Sequence, residues 1–405
     1  MILTEMKIIK MTGLLLALSL LLLFAGCGRR EASPPAESVS SGGGAVSQPG
    51  GAESGAEEEP GTASSSAPQQ AAGPVYYTGS LELPVAGASG YAPGVLTLRA
   101  EPSDSAAAVE TLEPGQGFTV LEESGEWWRV CTDNSIGWLP SKYCLINLPD
   151  VIPSIVYDNT NAYASLFKTS GEEIPGVTGQ ALYQSKTYNP RLQKEEYTVA
   201  VLYGMAKKIY AAQQLALAEG NTLIIYEGFR PYDVQVSVAE ALEKLITDVP
   251  SLRAGVESDP WSINWFIAQG VSNHQQGYAI DVTIGKITGI GRGVSGGYAY
   301  NVVTSYEEYS MPTPMHELSL AAASLSKPVL STSLTAWQEV APAASMNEAA
   351  LTLRDYCVAA GMTPLASEWW HFNDLDCLSV VDKSWQGKFT LSRNYSQPAP
   401  AAEEG

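Results

Sequence analysis

The feature that most constrains the fold is a long stretch near the N-terminus that cannot form a core. Residues 28–74 consist almost entirely of glycine, serine, alanine, proline and glutamate, without a single aromatic side chain. Such a segment buries too little apolar surface to offset the conformational entropy lost on folding, so it is expected to be a disordered linker. The C-terminal residues 389–405 end in Gln-Pro-Ala-Pro-Ala-Ala-Glu-Glu-Gly and predict a disordered tail for the same reason. Folded domains are therefore expected only between residues 75 and 388.

The N-terminus carries the pattern of an export signal. Lys7 and Lys10 precede an apolar run over residues 14–24, which is shorter than the roughly 20 residues of a membrane span. Two small residues then lead into Cys27. Residues 1–27 resemble a bacterial lipoprotein signal peptide, which implies a lipid anchor at Cys27 and a protein facing the cell wall. The alternative is an uncleaved N-terminal anchor, and both interpretations place the rest of the chain outside the cytoplasm.

The charge excludes one class of partner. The formal net charge is −20. A nucleic-acid-binding protein needs a basic surface that displaces counterions from phosphates, so DNA and RNA are excluded as partners. The linker and the tail carry part of this acidity, and the charge therefore says little about the substrate.

Four cysteines besides Cys27 fall into two sequence-local pairs, Cys131 with Cys144 and Cys357 with Cys377. In an exported protein this spacing is consistent with two disulfides. A loop of the size of 131–144 would stabilise the fold by about 3 kcal/mol in the chain-entropy model. The alternative is four buried free thiols.

Residues 75–148 have the pattern of a small all-β module. Short apolar runs, such as the alternating Leu96-Thr97-Leu98, are separated by turn signals, and this spacing predicts a small barrel. The segments L-T-L-R-A-E-P-S, L-E-P-G-Q-G-F-T-V-L, E-W-W-R-V and I-G-W-L-P-S-K-Y resemble the bacterial SH3-like family. The resemblance implies a module that binds the cell wall or acts as a spacer.

The tryptophans of this module are expected to divide between core and surface. Successive residues of a strand face opposite sides, so Trp127 and Trp128 cannot both point inward. The inward one is expected to be core, and the outward one is a candidate platform for a ligand. Trp138 is expected to belong to the barrel core.

Residues 150–388 alternate between helical and strand patterns. Apolar residues at helical spacing predict a helix over residues 192–218. Residues 222–226 predict a strand, and Arg230 follows the end of that strand, next to Pro231, which can open another helix. This alternation predicts a mixed α/β or α+β fold.

Two histidines and two carboxylates in this region have the spacing of a metal site. Gly277 permits a tight turn after His274, so that a loop histidine and Asp281 on the following strand can converge. Glu368 and His371 are three residues apart in a second predicted strand. Two histidines and one carboxylate make a three-ligand zinc site with a fourth position for water, and Glu368 can accept the proton of that water. The chain has only three histidines, so this site would use most of them.

The motifs G-F-R-P, S-N-H-Q-Q-G-Y-A-I-D-V-T, M-P-T-P and E-W-W-H-F occur in this order. They resemble the zinc D-alanyl-D-alanine dipeptidase family and its D,D-carboxypeptidase relatives. The resemblance implies an α+β peptidase domain at residues 150–388 with a central antiparallel sheet and one Zn²⁺ per chain. By position it implies zinc ligands at His274, Asp281 and His371, a general base at Glu368, an oxyanion-stabilising cation at Arg230, and substrate contacts at Ser272 and Ser310.

One departure from the family pattern affects the substrate. Ser310 takes the position of the acidic residue that holds the free ammonium group of the dipeptide in the dipeptidases. Glu307 and Glu308 are possible substitutes, and His316 and Glu317 are further candidates for substrate contact. We interpret His316 as a surface or rim residue at the start of a helix.

The predicted location outside the cytoplasm and the serine at position 310 together favour one class of substrate. A wall-facing lipoprotein meets peptidoglycan stem peptides rather than a cytosolic dipeptide pool, so we expect hydrolysis of D-Ala-D-Ala type bonds in stems. The alternatives are a dipeptidase acting on free D-Ala-D-Ala, an endopeptidase that cuts earlier in the stem, and a non-catalytic wall-binding lipoprotein.

Overall fold

The computed structural model describes residues 73–382 and 385–402. The predicted signal peptide, including Cys27, lies outside the described residues, as does the predicted linker apart from its last two positions. In the part of the chain that is described, no helix has both the length and the apolar character needed to cross a membrane.

The first part of the chain is built from short strands. They are β1 Val75–Tyr76, β2 Ser89–Tyr91, β3 Leu96–Arg99, β4 Ala108–Leu112, β5 Gly117–Ser124, β6 Trp127–Cys131, β7 Ile136–Pro140 and β8 Leu145–Asn147. β2 to β8 form one antiparallel sheet in the order β8-β2-β5-β6-β7-β3-β4. This sheet and the short connections between its strands agree with the all-β module that the sequence predicts at residues 75–148.

β6 shows why this sheet has one apolar face. Trp128 and Val130 are fully buried, whereas Trp127 is partly exposed and Arg129 is exposed. The prediction that the two adjacent tryptophans face opposite sides is confirmed, and Trp127 is the outward one. Trp138 on β7 is also partly exposed, so its expected place in the core is only partly realised.

The remainder of the described chain adds helices and further strands. The helices are α1 Leu148–Val151, α2 Tyr203–Ala218, α3 Tyr232–Asp248, α4 Glu348–Ala359 and α5 Leu375–Leu378. The strands are β9 Val156–Tyr157, β10 Lys168–Thr169, β11 Glu172–Glu173, β12 Thr187–Asn189, β13 Lys194–Glu196, β14 Ala200–Leu202, β15 Asn221–Glu227, β16 Ala279–Ser295, β17 Tyr298–Glu308, β18 Thr363–Leu365 and β19 Glu368–Asn373.

A second sheet carries the predicted catalytic motifs. Its order is β1-β17-β16-β15-β9, and β19 pairs with both β16 and β18. The central pairings are antiparallel, as predicted, while β1 and β9 add parallel pairs at the edges. Every residue of β15 is buried, which agrees with the apolar run at residues 223–226 in the middle of the strand.

The two sheets share one hydrophobic core. β14 lies in the predicted domain of residues 150–388 but pairs with β8 of the first sheet, with Ala200 opposite Asn147. This pairing also explains why α2 begins only at Tyr203 and not at residue 192. Residues 200–202 have helical spacing but pair with the edge of the sheet as a strand. On the inner side, Trp128 packs on Tyr203 with ring centroids 4.6 Å apart. Packing is therefore continuous across the predicted domain boundary near residue 149.

Residues 385–402, called the C-terminal strap below, do not behave as a disordered tail. Phe389 packs against Phe229 with ring centroids 5.5 Å apart. Further along, the Thr119 hydroxyl donates to the Tyr395 carbonyl at 2.7 Å. The expectation of disorder is wrong for the described part of this segment, because it relied on the last few residues and overlooked the aromatic ones that precede them.

The two predicted disulfides are absent. Cys144, Cys357 and Cys377 are buried free thiols. Each pair predicted from the sequence contains at least one of these residues, so neither pairing forms. Cys357 lies on the core side of α4, where a cysteine packs as a small apolar side chain.

Candidate metal centre

Three residues that are far apart in the sequence meet because three strands share a register. Asp281 on β16 lies opposite Glu227 on β15 and opposite His371 on β19. Directly paired residues on neighbouring strands have adjacent side chains. The sheet therefore brings two carboxylates and one imidazole to the same point.

His274 reaches this point from the loop that precedes β16. The Gly277 amide donates to the His274 carbonyl at 3.1 Å and closes a tight turn. Gly277 has a φ of +77°, and a Cβ there would lie 2.3 Å from Leu145 Cδ2. Only glycine fits both conditions. The turn that the sequence predicts is thus required by the backbone and by the close approach of β8.

The side-chain atoms of the three predicted zinc ligands surround a common point. His274 Nε2 lies 3.1 Å from His371 Nδ1 and 3.3 Å from Asp281 Oδ1, and the last two atoms are 3.0 Å apart. With metal–ligand distances of about 2.0–2.1 Å, neighbouring ligand atoms of a tetrahedral zinc site lie about 3.3–3.4 Å apart. The three side chains are close to the size of such a site.

Outer hydrogen bonds orient both imidazoles toward this point. His274 Nδ1–H donates to the Gly228 carbonyl at 2.8 Å, and His371 Nε2–H donates to Asn373 Oδ1 at 3.1 Å. Because each outer nitrogen is a donor, each inner nitrogen keeps a free lone pair. This arrangement is the usual outer support of metal-binding histidines.

The pKa shifts of His274 and Asp281 favour the binding of a cation, whereas that of His371 favours its protonated form. Burial lowers the pKa of His274, which favours the neutral, metal-binding form. Burial also disfavours the His371 cation, but the carboxylates of Asp281 and Glu368 and the side chain of Asn373 together outweigh it, and the pKa of His371 is raised. Burial raises the pKa of Asp281, but the neighbouring His274 outweighs it and holds that pKa well below its usual value. Asp281 is therefore a carboxylate at neutral pH.

Glu368 lies beside the ligand atoms. Its Oε2 is 3.6 Å from His371 Nδ1. Residues three apart on a regular strand face opposite sides, but β19 bulges here, since Pro364 pairs with Phe372 and the next residue of β18 pairs with Glu368. Burial raises the pKa of Glu368 to about 8, so a nearby cation would be needed to keep it ionised.

Arg230 is held at the same place by two acidic residues. Its Nε and Nη2 donate to Glu227, Nη2 also donates to Asp281 Oδ2 at 3.1 Å, and Nη1 donates to Gln235 at 2.8 Å. Burial disfavours the cation, but Glu227 outweighs it and the pKa of Arg230 is raised. A guanidinium has five N–H donors. One Nη1–H is left over after the contacts of the described residues.

A cavity of about 130 Å³ opens next to these groups. Arg230, Ser272 and Glu368 line this cavity together with the two histidines among the predicted zinc ligands, His274 and His371. Its volume suits the end of a short peptide, since drug-sized ligands occupy roughly 300–1,000 Å³. A larger cavity of about 420 Å³ is lined by Phe229 but by none of the three predicted zinc ligands. We assign the site to the smaller cavity, because the reactive groups meet there.

Ser310 is not brought to this cavity. It is exposed, and its carbonyl accepts a hydrogen bond from Asn347 Nδ2 at 2.8 Å, just before α4. It lines a different depression together with Glu308 and Met311. The predicted partner Ser272 lines the cavity, so the two proposed substrate contacts are separated.

The interpretation of His316 as a rim residue is wrong. The side chain is completely buried, and its Nε2 lies 3.1 Å from Asp281 Oδ2. Its ring stacks on Phe167 with centroids 4.4 Å apart. Sequence reasoning missed it because no spacing pattern links it to Asp281. The small number of histidines was the one available signal.

Glu227, Asp281 and His316 also form a cluster with the composition of a metal site. Arg230 already lies between its two carboxylates, with hydrogen bonds to both. A guanidinium in that position supplies the positive charge that the carboxylates require. We therefore interpret this cluster as an ion-pair network that supports the first one.

Comparison with known proteins identifies one part of the chain. Residues 94–144 match the family described as bacterial SH3 domain. The chain contains a bacterial SH3 domain. The match covers β3 to β7 and confirms the SH3-like prediction, while β2 and β8 flank the matched SH3 domain on either side. No match was found among curated proteins.

Proposed function

We propose that residues 150–388 form a zinc peptidase domain of the D-alanyl-D-alanine dipeptidase and D,D-carboxypeptidase type. The proposed reaction is the hydrolysis of D-Ala-D-Ala type bonds in peptidoglycan stem peptides at the cell surface. One observation carries the proposal. Three ligand atoms lie 3.0 to 3.3 Å apart, with Glu368 at 3.6 Å and a cavity beside them.

His274, Asp281 and His371 would hold one Zn²⁺. They fit this ion, because both imidazoles direct a lone pair inward and the carboxylate is ionised. A bound zinc would act as a Lewis acid toward the scissile carbonyl.

The remaining groups have distinct roles in the proposal. Glu368 accepts the proton of the attacking water, which requires it to be ionised. Arg230 directs its remaining N–H toward the oxygen on which negative charge develops, and loss of one such donor costs about 2.7–4 kcal/mol in the barrier. Ser272 lies on the cavity wall, where it can hold the peptide.

The choice of stem peptides rests on the surrounding features. The SH3 domain shares a core with the site, and the predicted signal would place both at the wall. Ser310 offers no carboxylate for a free ammonium group. These features favour a substrate whose N-terminal side is blocked by the rest of the stem.

The test is hydrolysis by the purified, zinc-loaded full chain. A pentapeptide stem ending in D-Ala-D-Ala and the free dipeptide are supplied separately, and released D-alanine is measured. Release from the pentapeptide supports the proposal. Rapid hydrolysis of the dipeptide with an untouched pentapeptide would show the dipeptidase alternative instead.

A variant separates catalysis from binding. Glu368→Gln should retain zinc and lower turnover by about 10²–10⁴, which is the usual contribution of a general base. Glu240→Gln, on the exposed side of α3, is the matched control and should behave as wild type. Equal turnover of Glu368→Gln and the control would refute the assigned role.

A further inference from the structure

The carboxylate of Asp281 has two oxygens in different surroundings. Oδ1 lies 3.0 Å from His371 Nδ1 and 3.3 Å from His274 Nε2, at the proposed metal position. Oδ2 lies 3.1 Å from both Arg230 Nη2 and His316 Nε2, on the other side. One oxygen of Asp281 thus faces the proposed metal position, and the other faces the supporting side chains of Arg230 and His316.

Three aromatic side chains pack against the ring of His316. Its ring stacks on Phe167 and meets the edges of Tyr226 and Trp370, with centroids 6.4 and 6.1 Å away. The Lys168 amide donates to the His316 carbonyl at 3.1 Å. The ring orientation is therefore set by packing rather than by Asp281 alone.

The backbone of His316 is also unusual. Its φ is +62°, in the left-handed region that non-glycine residues seldom adopt. Such strain persists only where the surrounding structure enforces it, and it concentrates at functional sites. Here the backbone conformation delivers a buried imidazole to Asp281.

The hydrogen position on this ring follows from its neighbours. Nε2 faces Asp281 Oδ2 at 3.1 Å and Glu227 Oε2 at 3.8 Å, which are both acceptors. Nε2 therefore carries a hydrogen and donates it to Asp281. Nδ1 has no hydrogen-bond partner among the described residues.

We propose that His316 is a positioning residue that keeps Asp281 a one-oxygen metal ligand. This inference rests on the proposed function. A carboxylate with a free second oxygen can bind a metal through both oxygens, and it then occupies a further coordination position. A catalytic zinc site needs that position for water or substrate. By holding Oδ2, His316 and Arg230 leave only Oδ1 for the metal.

Arg230 alone is a weaker restraint on Oδ2. Its Nη2 divides its donors between Glu227 and Asp281, and its Nε is also bound to Glu227. Substrate binding would draw on Arg230 further. For His316 Nε2, Glu227 Oε2 lies at 3.8 Å, beyond hydrogen-bond distance, and Asp281 Oδ2 at 3.1 Å is the nearer acceptor, so His316 is the more constant donor.

The experiment compares two substitutions at this position. His316→Phe keeps an aromatic ring next to Phe167 and removes the donor, whereas His316→Gln keeps an N–H donor and removes the ring. We expect zinc affinity to fall about 10–100-fold in His316→Phe, as for other outer partners of metal ligands. His316→Gln should recover most of that loss.

Cobalt reports the coordination directly. In the Co²⁺-substituted full chain, a rise in coordination number weakens the visible d–d absorption. His316→Phe should show this weakening, and His316→Gln should resemble wild type. Unfolding of the metal-free proteins measures any purely structural cost separately.

The outcomes are distinct. Wild type that binds no zinc would defeat the proposed function itself. Wild type that binds zinc, together with a His316→Phe variant of equal zinc affinity and cobalt spectrum, would overturn only the inference. If His316→Phe does not fold, His316→Asn replaces it, because asparagine tolerates a left-handed backbone and its amide is shorter. The same loss of affinity is then expected, and wild-type affinity would again refute the role.

Discussion

The SH3 domain and the candidate metal centre are built in opposite ways. In the SH3 domain, successive strands pair with one another, as β5, β6 and β7 do, and an apolar core lies on one face. The candidate metal centre collects side chains from four separate parts of the chain, between Glu227 and His371, and buries several charges. Buried charges are costly unless they are paired. One region is thus a product of local pattern, and the other of long-range register.

The largest expected effect concerns the register-dependent region. His274→Ala or His371→Ala removes one of three ligands, so zinc affinity should fall by more than the roughly 100-fold that an outer partner contributes. Zinc content after dialysis, measured by mass spectrometry on the full chain, should drop from one ion per chain to nearly none. Trp127→Ala, in the SH3 domain, is the control and should keep its zinc. Unchanged zinc content in both histidine variants would end the metal hypothesis.

The next effect concerns the locally built region. Trp128→Ala should lower the free energy of unfolding by about 3–5 kcal/mol, because it empties a fully buried site. Trp127→Ala should cost about 1 kcal/mol or less, since that side chain is partly exposed. Denaturant titrations followed by fluorescence measure both values. Similar costs for the two substitutions would contradict their assignment to opposite faces.

The same titration tests whether the regions are independent. Since Trp128 packs on Tyr203 of α2, loss of the SH3 core should also weaken the second sheet. Zinc release and loss of SH3 structure are therefore expected to coincide in the Trp128→Ala variant. An earlier transition of the SH3 domain, with zinc retained, would show two separable units.

The smallest expected effect concerns the buried cysteines, which should remain free thiols in the folded protein. Burial raises the pKa values of Cys144, Cys357 and Cys377, so these thiols should be unreactive in the folded protein. After denaturation without reductant, peptide mapping should find all three alkylated. A disulfide-linked peptide that contains Cys357 and Cys377 would contradict the structure.

The sequence predicts the parts of the centre that depend on local geometry. His274, Gly277 and Asp281 are a loop, a turn and a strand in one short segment, so their spacing was sufficient to bring them together. Glu368 and His371 are also local to each other. The sequence also predicts the strand that ends at Glu227, although not the role of its last residue.

The remainder depends on contacts that spacing does not encode. Strand register decides which residue lies opposite Asp281 in the sheet, so local spacing does not predict that Glu227 belongs to the site. His316 has a positive φ and is held by Phe167 and Lys168, which are far away in the sequence. In β14, pairing with β8 outweighs the helical spacing of the same residues. Each error comes from tertiary contacts that overrule a local preference.

The C-terminal strap has a consequence for the order in which the protein is made. Gly387 accepts a hydrogen bond from Gln275 Nε2 at 2.6 Å, directly beside His274. These residues leave the ribosome after all the proposed ligands and the proposed base. A chain that stops before Trp385 would contain every proposed catalytic motif and still lack one support of the loop that carries His274. The loop that carries His274 thus obtains its full support only after the C-terminal strap has been synthesised.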